Sequence, residues 1–260
     1  MGAAIFRADV APALPCSLTD SHYSVHLAAN SLEIFEAQRL RYQIFALEKG
    51  AAIDGGGEGL DIDPFDRFCD HLLVRDRWGR LIGTTRALRQ ENALRAGGFY
   101  SETEFELMPA LRWSGKLLEI GRTCIHPDHR NGAAIGVLWS GIADLIFDGG
   151  YDRLIGCASI DVDAEAGFGP VKALVDSILA RYLSAADQRA RPKIPLPAAA
   201  KAGPSAPCAA PPLLKAYLRL GAQICGDAYY DADFACADLL VLVDRERLNL
   251  RYARHFLKAS

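Results

Sequence analysis

The hydrophobic and polar positions in the first half of the chain alternate between strand-like and helix-like periods. Residues 21–29 alternate and predict a strand, whereas residues 31–50 place apolar side chains three and four apart and predict a helix capped by Ser31. A loop rich in glycine and aspartate follows over residues 51–70. Residues 71–88 then predict a β-hairpin with the turn sequence DRWGR.

The second half of the chain continues this alternation. After an irregular stretch with a short helix at 97–107, the pattern predicts strands at 116–125 and 153–160. Each of these strands is followed by a predicted helix, the first at 132–151 and the second at 169–187. This order of elements predicts a three-layer α/β or α+β domain.

A change of composition divides the chain into four segments. We predict an N-terminal tail at 1–20, a core domain at 21–188, and an extended proline- and alanine-rich linker at 189–212. Residues 213–260 form a C-terminal segment that packs on the core. That segment contains a short helix, a strand at 238–244 that is apolar enough to rejoin the same sheet, and a terminal helix.

The composition fits one large domain with an appendage. The chain has 260 residues, of which 50% are hydrophobic and 23% charged, and its net charge is −3. Binding of nucleic acid usually needs a basic domain, so we expect no nucleic-acid partner. No apolar run approaches the roughly 18 residues of a membrane span, and the N-terminus lacks the pattern of a secretory signal. The sequence predicts a cytoplasmic protein, with peripheral contact to the inner face of the cytoplasmic membrane as an alternative.

The cysteines point to a reducing compartment. There are seven, the closest pair is 11 residues apart, and no CxxC motif occurs. This spacing disfavours a disulfide framework and a structural zinc site, so we expect no metal. Cys124 or Cys157 could act as a nucleophile with a histidine, but a cysteine in an apolar strand more often serves as a small hydrophobic residue.

Two charged residues interrupt the otherwise apolar strand LLEIGRTCI. Glu119 and Arg122 lie three residues apart, and burying either charge is costly unless it is paired. Residues at this spacing point to opposite faces of a strand, but a bulge at Gly121 would turn both toward one cleft. Together they would supply a general base and an anion-binding group. The alternative is a structural ion pair at the end of the sheet.

Two other clusters of charge leave their roles open. Asp61, Asp63, Asp66 and Asp70 precede the hairpin and fit a solvated turn, a calcium site or a site for a cationic amine. The predicted terminal helix, at 244–258, carries five basic and two acidic side chains. It is either a solvated helix face or a contact for an acidic partner or an anionic membrane surface.

Several segments, taken in order, resemble one group of enzymes. RLRYQIF, DPFD, IGTTRAL and EIGRTCI follow the order and spacing of the acyl-homoserine-lactone synthases, which share the GNAT acyltransferase fold. CDHLLV, GGFYSETEFEL, LWSGIADL, GCAS and the stretch from PPLLKAYLRL to ACADLLVL look closer to the L-ornithine Nα-acyltransferases and their hemolysin-like relatives. The resemblance spans residues 39–243. It implies a GNAT-like three-layer αβα sandwich around a mixed, mostly antiparallel twisted sheet.

The resemblance also implies a set of site residues. The functional pattern of these families falls on seven positions of this chain: Arg41, Phe45, Asp63, Asp66, Arg86, Glu119 and Arg122. Glu119 and Arg122 are the predicted catalytic pair. The other five, together with Ser101 of the GGFYSETEFEL segment, are predicted to bind the acceptor.

One departure from the GNAT pattern bears on the acyl donor. Coenzyme-A-dependent members follow the central strand with [RQ]xxGx[GA], whose backbone amides hold a pyrophosphate at a helix N-terminus. Here RNGAAIG begins with Arg130 but has Ala133 and Ile135 where the small glycines belong. The resemblance then implies an acyl-carrier-protein thioester as donor and no permanently bound cofactor. Such carriers are acidic, so the predicted contacts with the carrier or a membrane are Arg130, Arg251, Arg254 and Lys258.

The reaction that these features predict is attack of an amine on a thioester. Ornithine is the leading acceptor and would yield a lyso-ornithine lipid. Its ammonium would bind to Asp63 and Asp66 unless these pair with arginines, and the acyl chain would lie between the central strand and the helix of Trp139. Rivals are an N-acyl amino acid synthase using glycine, glutamine or tyrosine, an acyl-homoserine-lactone synthase, and a non-catalytic carrier-binding module. We expect Glu119→Ala to abolish acyl transfer and to leave the fold intact.

Overall fold

A twisted eight-stranded sheet runs through the middle of the molecule. The computed structural model describes residues 22–53, 57–107, 115–198 and 208–248. Its strands, in chain order, are β1 (Tyr23–Leu27), β2 (Asp70–Asp76), β3 (Leu81–Arg89), β4 (Phe105–Leu107), β5 (Leu117–Ile125), β6 (Arg153–Asp161), β7 (Ala190–Pro192), β8 (Gln223–Ile224), β9 (Tyr229–Asp231) and β10 (Cys236–Asp244). The spatial order is β1-β2-β3-β5-β6-β10-β8, with β9 paired to β10, while β4 and β7 form a separate two-stranded sheet.

Six α-helices lie in the described part of the chain. They are α1 (Ser31–Tyr42), α2 (Gln90–Ala96), α3 (Ser101–Glu104), α4 (Gly132–Asp148), α5 (Phe168–Tyr182) and α6 (Pro212–Leu220). Within the described strands, β5 and β6 run parallel and the other paired neighbours run antiparallel. The predicted three-layer fold with a mixed, mostly antiparallel sheet is confirmed.

The two faces of the sheet have different coverings because side chains alternate along each strand. One face packs against α4, α5 and α6 and buries residues such as Leu118, Leu138 and Tyr217. The other face packs against α2 and the segment from Phe99 to Phe105. We call this second face the site face, since Glu119 lies on it two residues beyond Leu117.

The last strand rejoins the sheet, as its apolar sequence predicts. β10 pairs with β6 along its whole length, from Cys236 opposite Asp161 to Asp244 opposite Arg153. Every residue of β10 before Asp244 is buried, because β6, β8 and β9 flank it and helices cover one face. The C-terminal segment therefore completes the core instead of forming a second domain.

The structure corrects one local prediction and refines two others. The first helix is capped by Asn30 instead of Ser31, since the Asn30 side chain accepts hydrogen bonds from Leu32 N–H and Glu33 N–H. Its α-helical part ends at Tyr42 and continues as a π-helix over Gln43–Glu48. The predicted linker at 189–212 begins as β7, which pairs with β4.

The described start of the predicted terminal helix also differs from the prediction. Arg245–Arg247 forms a single 3₁₀ turn directly after β10. Residues 249–258 of the predicted terminal helix lie outside the described residues. In the part of the chain that the structure describes, no helix has the length and apolar character needed to cross a bilayer.

Candidate active site

The parallel strands β5 and β6 separate partway along their length. Their register covers three pairs and ends at Glu119 opposite Ile155. One residue later, Gly156 passes so close to the Ile120 carbonyl that a β-carbon on Gly156 would collide with it. Beyond this point β5 stays paired with β3 and β6 with β10. A gap therefore opens between the two strands.

Solvent exposure along the two strands marks the floor of this gap. In β5, residues Leu117–Ile120 are buried, whereas Gly121–Thr123 are partly exposed. In β6, residues Leu154–Gly156 are buried, whereas Cys157 is partly exposed and Ser159 is exposed. We call the surface formed by Gly121–Thr123, Cys157 and Ser159 the splay groove. It is the accessible surface beside the point where these two strands separate.

A β-bulge in β5 sets the direction of the two charged side chains. The register with β3 passes from Thr84 opposite Cys124 to Arg86 opposite Gly121, so β5 has one extra residue here. Within the predicted bulge, the residue with a left-handed backbone is Arg122, at φ 49°, and not its neighbour Gly121. A non-glycine residue in this region stores strain of about 1–3 kcal/mol and is often found at functional sites. The bulge turns Arg122 toward the segment that also contacts Glu119.

Glu119 is held by the start of α3. Its Oε2 accepts a hydrogen bond from the backbone N–H of Tyr100 at 2.6 Å, and its Oε1 accepts one from the N–H of Ser101 at 2.7 Å. The residue is only 3% exposed. Burial raises the pKa of Glu119, and the donors from Ser101 and Tyr100 and the charge of Arg86 oppose that rise. Glu119 is thus a buried carboxyl group attached to the Tyr100 segment.

Arg122 contacts the same segment through the tyrosine side chain. Its Nη1 donates to the Tyr100 hydroxyl at 3.3 Å, and its Nη2 donates to Asp63 at 3.1 Å. The guanidinium carbon lies 5.1 Å from the centre of the Tyr100 ring and 4.8 Å from that of Phe234. Cation–π contacts of this kind orient the charge while leaving part of it open. The pKa of Arg122 is raised despite the opposing effect of burial, with Tyr100 as its leading partner.

Three arginines and three aspartates form a buried ion-pair network beside this pair. Arg41 contacts Asp61 and Asp66 at 2.8 Å each. Arg86 contacts Asp63 and Asp66 at 2.9 Å each. Arg122 completes the network through Asp61 at 3.3 Å and Asp63 at 3.1 Å. The formal charges of the six groups cancel.

The network has consequences for the predicted acceptor-binding residues. Although burial alone would raise the pKa of Asp66, Arg41 and Arg86 hold that pKa far below its usual range. Asp63 is likewise satisfied, by two arginines and by the N–H of Phe65. Among the three arginine side chains, Arg122 is 14% exposed and the other two are 3% exposed or less. Arg122 is therefore the network cation that a ligand in the splay groove can reach.

Phe45 and Ser101 border the site in different ways. Phe45 stacks edge-to-face on Phe234 at 6.0 Å, so it supports the ring that lies over Arg122. Ser101 is completely buried, and its hydroxyl has no hydrogen-bond partner among the described residues. Its backbone N–H serves Glu119.

The structure describes only one of the four residues predicted to bind the carrier, Arg130. Arg130 forms a two-bond ion pair with Glu48, at 2.6 and 2.7 Å, and its Nε donates to the Ile125 carbonyl. Next to it, the Asn131 side chain caps α4 by accepting from the Ala134 N–H. Three further predicted contacts lie outside the described residues: Arg251, Arg254 and Lys258.

Comparison with known proteins identifies the family. The acetyltransferase (GNAT) domain family matches residues 40–140. The L-ornithine N(alpha)-acyltransferase of Rhodobacter capsulatus is 36% identical and aligns over 91% of this chain and 95% of its own length. That of Rhizobium meliloti is 34% identical over 97% of this chain and 90% of its own length. The chain belongs to the L-ornithine Nα-acyltransferase family.

Membership in the L-ornithine Nα-acyltransferase family makes the chain an N-acyltransferase and confirms the resemblance found in the sequence. A solved structure of an N-acyl amino acid synthase from uncultured soil microbes shares the fold. It covers 88% of this chain and 95% of its own, with a TM-score of 0.50 and 12% sequence identity.

Cysteine chemistry does not suit this member of the L-ornithine Nα-acyltransferase family. Burial raises the pKa of Cys124 to about 12, so its thiolate is scarce at neutral pH. The pKa of Cys157 is raised well above its usual value by burial and by nearby carboxylates, with Glu104 first among them. Burial also lowers the pKa of His71, which contacts the Asp66 carbonyl in place of a cysteine.

Sequence reasoning missed three residues of the site. Tyr100 joins the catalytic candidates, and Glu104 and Asp238 are carboxyl groups buried on the site face. Asp61, which the sequence marked only as part of the acidic cluster, completes the ion-pair network. Asp238 interrupts the apolar run ADLLVL as Glu119 interrupts LLEIG. The same signal, a carboxylate inside an apolar strand, could therefore have found Asp238. Tyr100 and Glu104 lie in a segment without a clear period, where the sequence offers little to distinguish them.

The sequence predicts an acyl slot between the central strand and the helix of Trp139. The Trp139 side chain is 5% exposed, and its ring packs edge-to-face on Tyr217 of α6, with 4.8 Å between ring centres. It belongs to the large core on the face opposite to the site. The predicted slot between α4 and the central strand is therefore filled by core side chains at this position.

Proposed function

We propose that the protein transfers a (3-hydroxy)fatty acyl group from an acyl-carrier-protein thioester to the α-amino group of ornithine, giving a lyso-ornithine lipid. The observation that carries this proposal is its match to L-ornithine N(alpha)-acyltransferases over 90% or more of their length. Near-complete coverage supports placing the acceptor site and the donor site within the shared sequence.

The acceptor binds in the splay groove with its α-carboxylate on Arg122. This arginine is the accessible cation of the network, and the rings of Tyr100 and Phe234 fix its plane. A planar guanidinium can bind a carboxylate through two parallel hydrogen bonds. Arg41 and Arg86 act through Asp63 and Asp66, which hold Arg122 and the loop in place.

Glu119 takes the proton that the amine releases and returns it to the carrier's phosphopantetheine thiolate when the C–S bond of the tetrahedral intermediate breaks. Because it is 3% exposed and both oxygens already accept backbone hydrogen bonds, the proton reaches it through a relay of water and not by direct contact. The raised pKa of Glu119 makes it a better proton acceptor than an exposed glutamate. Tyr100 connects the two roles, since its N–H donates to Glu119 and its hydroxyl accepts from Arg122.

The thioester carbonyl lies where β5 has left β6. Backbone groups of β5 beyond Glu119 have no register partner on β6, and the bulge at Arg122 redirects them. Backbone N–H groups aimed at such a gap are suited to stabilise the oxyanion of the tetrahedral intermediate. The acyl chain leaves along the apolar side of the same gap, past Phe45 and Phe234.

The start of α4 favours a carrier protein over coenzyme A. A coenzyme-A site needs free backbone N–H groups and an unpaired cation near the helix N-terminus. Here Asn131 already binds the Ala134 N–H, and Glu48 neutralises Arg130. A carrier brings its phosphopantetheine on a folded acidic domain and does not depend on this pyrophosphate site.

The test is a competition between donors and between acceptors. The purified protein is incubated with acyl carrier protein or coenzyme A loaded with the same 3-hydroxy acyl chain, and with ornithine, glycine or glutamine. We expect the carrier with ornithine to give the highest kcat/KM. Equal use of acyl-coenzyme A would overturn the donor, and preferred acylation of glycine or glutamine would overturn the acceptor.

A further inference from the structure

A second cluster of carboxyl groups borders the splay groove, and among the described residues no arginine or lysine forms an ion pair with it. Arg122 acts on it only at longer range. Glu104 ends α3, and Asp238 lies on β10 directly opposite Ser159 of β6. Cross-strand partners share a face of the sheet, so Asp238 faces the same side as the exposed Ser159. Glu104 lies close enough to Cys157, the other β6 residue of the groove floor, for each to affect the pKa of the other. Both carboxyl groups therefore border the groove.

The two carboxyl groups carry unused hydrogen-bonding capacity. Glu104 and Asp238 are each 3% exposed. The Oε2 of Glu104 and the Oδ1 of Asp238 have no hydrogen-bond partner among the described residues. Each group raises the pKa of its neighbours, and Asp231 adds a third negative charge at the edge of the cluster. Buried acceptors left in this state usually await a ligand, a water or an ion.

The ion-pair network and this second cluster differ in whether their carboxylate charges are neutralised. Asp63 and Asp66, which the sequence offered as ammonium ligands, are neutralised by Arg41, Arg86 and Arg122. A substrate ammonium placed there would meet a site whose charges already cancel. Placed between Glu104 and Asp238, it would supply the missing charge and the missing donors.

Tyr100 lies between this cluster and Arg122. Its hydroxyl contacts Arg122 at 3.3 Å, and burial together with the charge of Glu104 raises the pKa of that hydroxyl. Arg122 offers a cation for a carboxylate, and the cluster offers carboxyl groups for an ammonium. An acceptor that carries both groups, as ornithine does, can contact both sides of Tyr100.

From this geometry we infer that Glu104 and Asp238 bind the side-chain ammonium of the acceptor and so select a diamino acid. The inference rests on the proposed acylation of ornithine and names the residues that distinguish it from uncharged amino acids. With the ammonium held here and the carboxylate on Arg122, the α-amine is the nitrogen left free to attack the thioester. Asp231 and Cys236, which have ligand atoms within 4.8 Å of Asp238, complete the wall behind the ammonium.

The test compares ornithine with norvaline, which has the same carbon chain but no terminal amine. Kinetics are measured for the wild type, Glu104→Gln and Asp238→Asn, with the exposed Glu106→Gln and Asp233→Asn as matched controls. Loss of a charged hydrogen bond should lower kcat/KM for ornithine about 10- to 150-fold and leave norvaline and the donor KM little changed. The controls should behave as the wild type.

Each outcome of this test either supports or overturns the inference. An ornithine preference that survives in both site variants overturns the inference while the proposed function stands. A wild type that acylates another amine but not ornithine overturns the proposed function, and the inference with it. A stoichiometric metal ion that co-purifies with the wild type and is lost in Asp238→Asn would show that the cluster serves a metal, and would overturn the inference alone. Collapse of the ornithine-to-norvaline ratio in folded variants supports it.

Discussion

Glu119 and Arg122 meet at a single residue, Tyr100, although they lie three positions apart on one strand. The carboxylate accepts the Tyr100 N–H at 2.6 Å, and the guanidinium donates to the Tyr100 hydroxyl at 3.3 Å. The β5 bulge makes this possible, because it reverses the alternation that would have sent the two side chains to opposite faces. In the proposed function, proton removal and carboxylate binding are thereby tied to one short segment.

Glu119→Ala should lose both activity and stability, so the expectation that it leaves the fold intact is withdrawn. The substitution leaves the N–H groups of Tyr100 and Ser101 buried without acceptors, at a cost of about 1–3 kcal/mol each. Glu119→Gln keeps one acceptor and should be less destabilised while still losing turnover. Thermal unfolding and kcat measured on both variants test this. Wild-type turnover in folded Glu119→Gln would exclude Glu119 as the base.

Arg122→Lys should weaken acceptor binding more than donor binding. Lysine keeps the charge but loses the planar pair of donors and the stacking between Tyr100 and Phe234. We expect kcat/KM for the acceptor to fall about 10- to 100-fold, from the loss of a charge-assisted bond. Arg75→Lys, in a partly exposed ion pair with Glu33 and Glu36, is the control. Equal losses for acceptor and donor would argue for a purely structural role.

Glu104→Gln should become more stable relative to the wild type as pH rises. Burial and Asp238 raise the pKa of Glu104 to about 8, so the folded wild type binds a proton that the unfolded chain releases near its model-peptide pKa of about 4.3. The associated stability is present below that lower value and is lost as pH rises through about 8. The groups facing Glu104 and Asp238 are Tyr100, Arg122, Cys157, Asp231 and Cys236.

The measurement for this prediction is the melting temperature of both proteins from pH 5 to pH 9. The difference between variant and wild type should grow by a few degrees, on the order expected for a chain of this size, and should level off above the pKa of Glu104. A difference that does not change with pH would mean that Glu104 titrates normally.

Gly156→Ala should disturb the point where β5 and β6 separate. A β-carbon on Gly156 would collide with the Ile120 carbonyl, which belongs to the backbone and cannot move aside cheaply. Overpacking of this kind costs about 1–3 kcal/mol. Gly132→Ala, where no atom lies within 4 Å, is the matched control and should keep the wild-type melting temperature. An unchanged melting temperature for Gly156→Ala would contradict the close approach.

The sequence predicted most of the fold because its periods are strong. The hairpin, the β5 and β6 strands, α4 and the apolar β10 all follow from alternation or helical spacing. The prediction failed where the sequence pattern is weak and contacts with other parts of the chain determine the local structure. The start of the proline-rich segment forms β7, which pairs with β4. Asn30 replaces Ser31 as the helix cap because its side chain can reach two backbone N–H groups.

The candidate site was predictable as a set of residues but not as an arrangement. Charges inside apolar strands marked Glu119 and Arg122, and spacing shared with known families marked Arg41, Asp63 and Asp66. No pattern in the chain could show that these aspartates are saturated by arginines while Glu104 and Asp238 are not. That distinction depends on which loops pack over the sheet, and long-range packing leaves no local period.

The position of the acyl group on the product tests the central claim most directly. Purified enzyme, acyl carrier protein loaded with a 3-hydroxy acyl chain, and ornithine are incubated, and the product is fragmented by tandem mass spectrometry. We predict a single amide on the α-nitrogen with a free terminal amine, because Arg122, Glu104 and Asp238 hold the other two charged groups. Acylation of the terminal nitrogen, or no acylated ornithine under conditions that acylate another amine, would contradict the account.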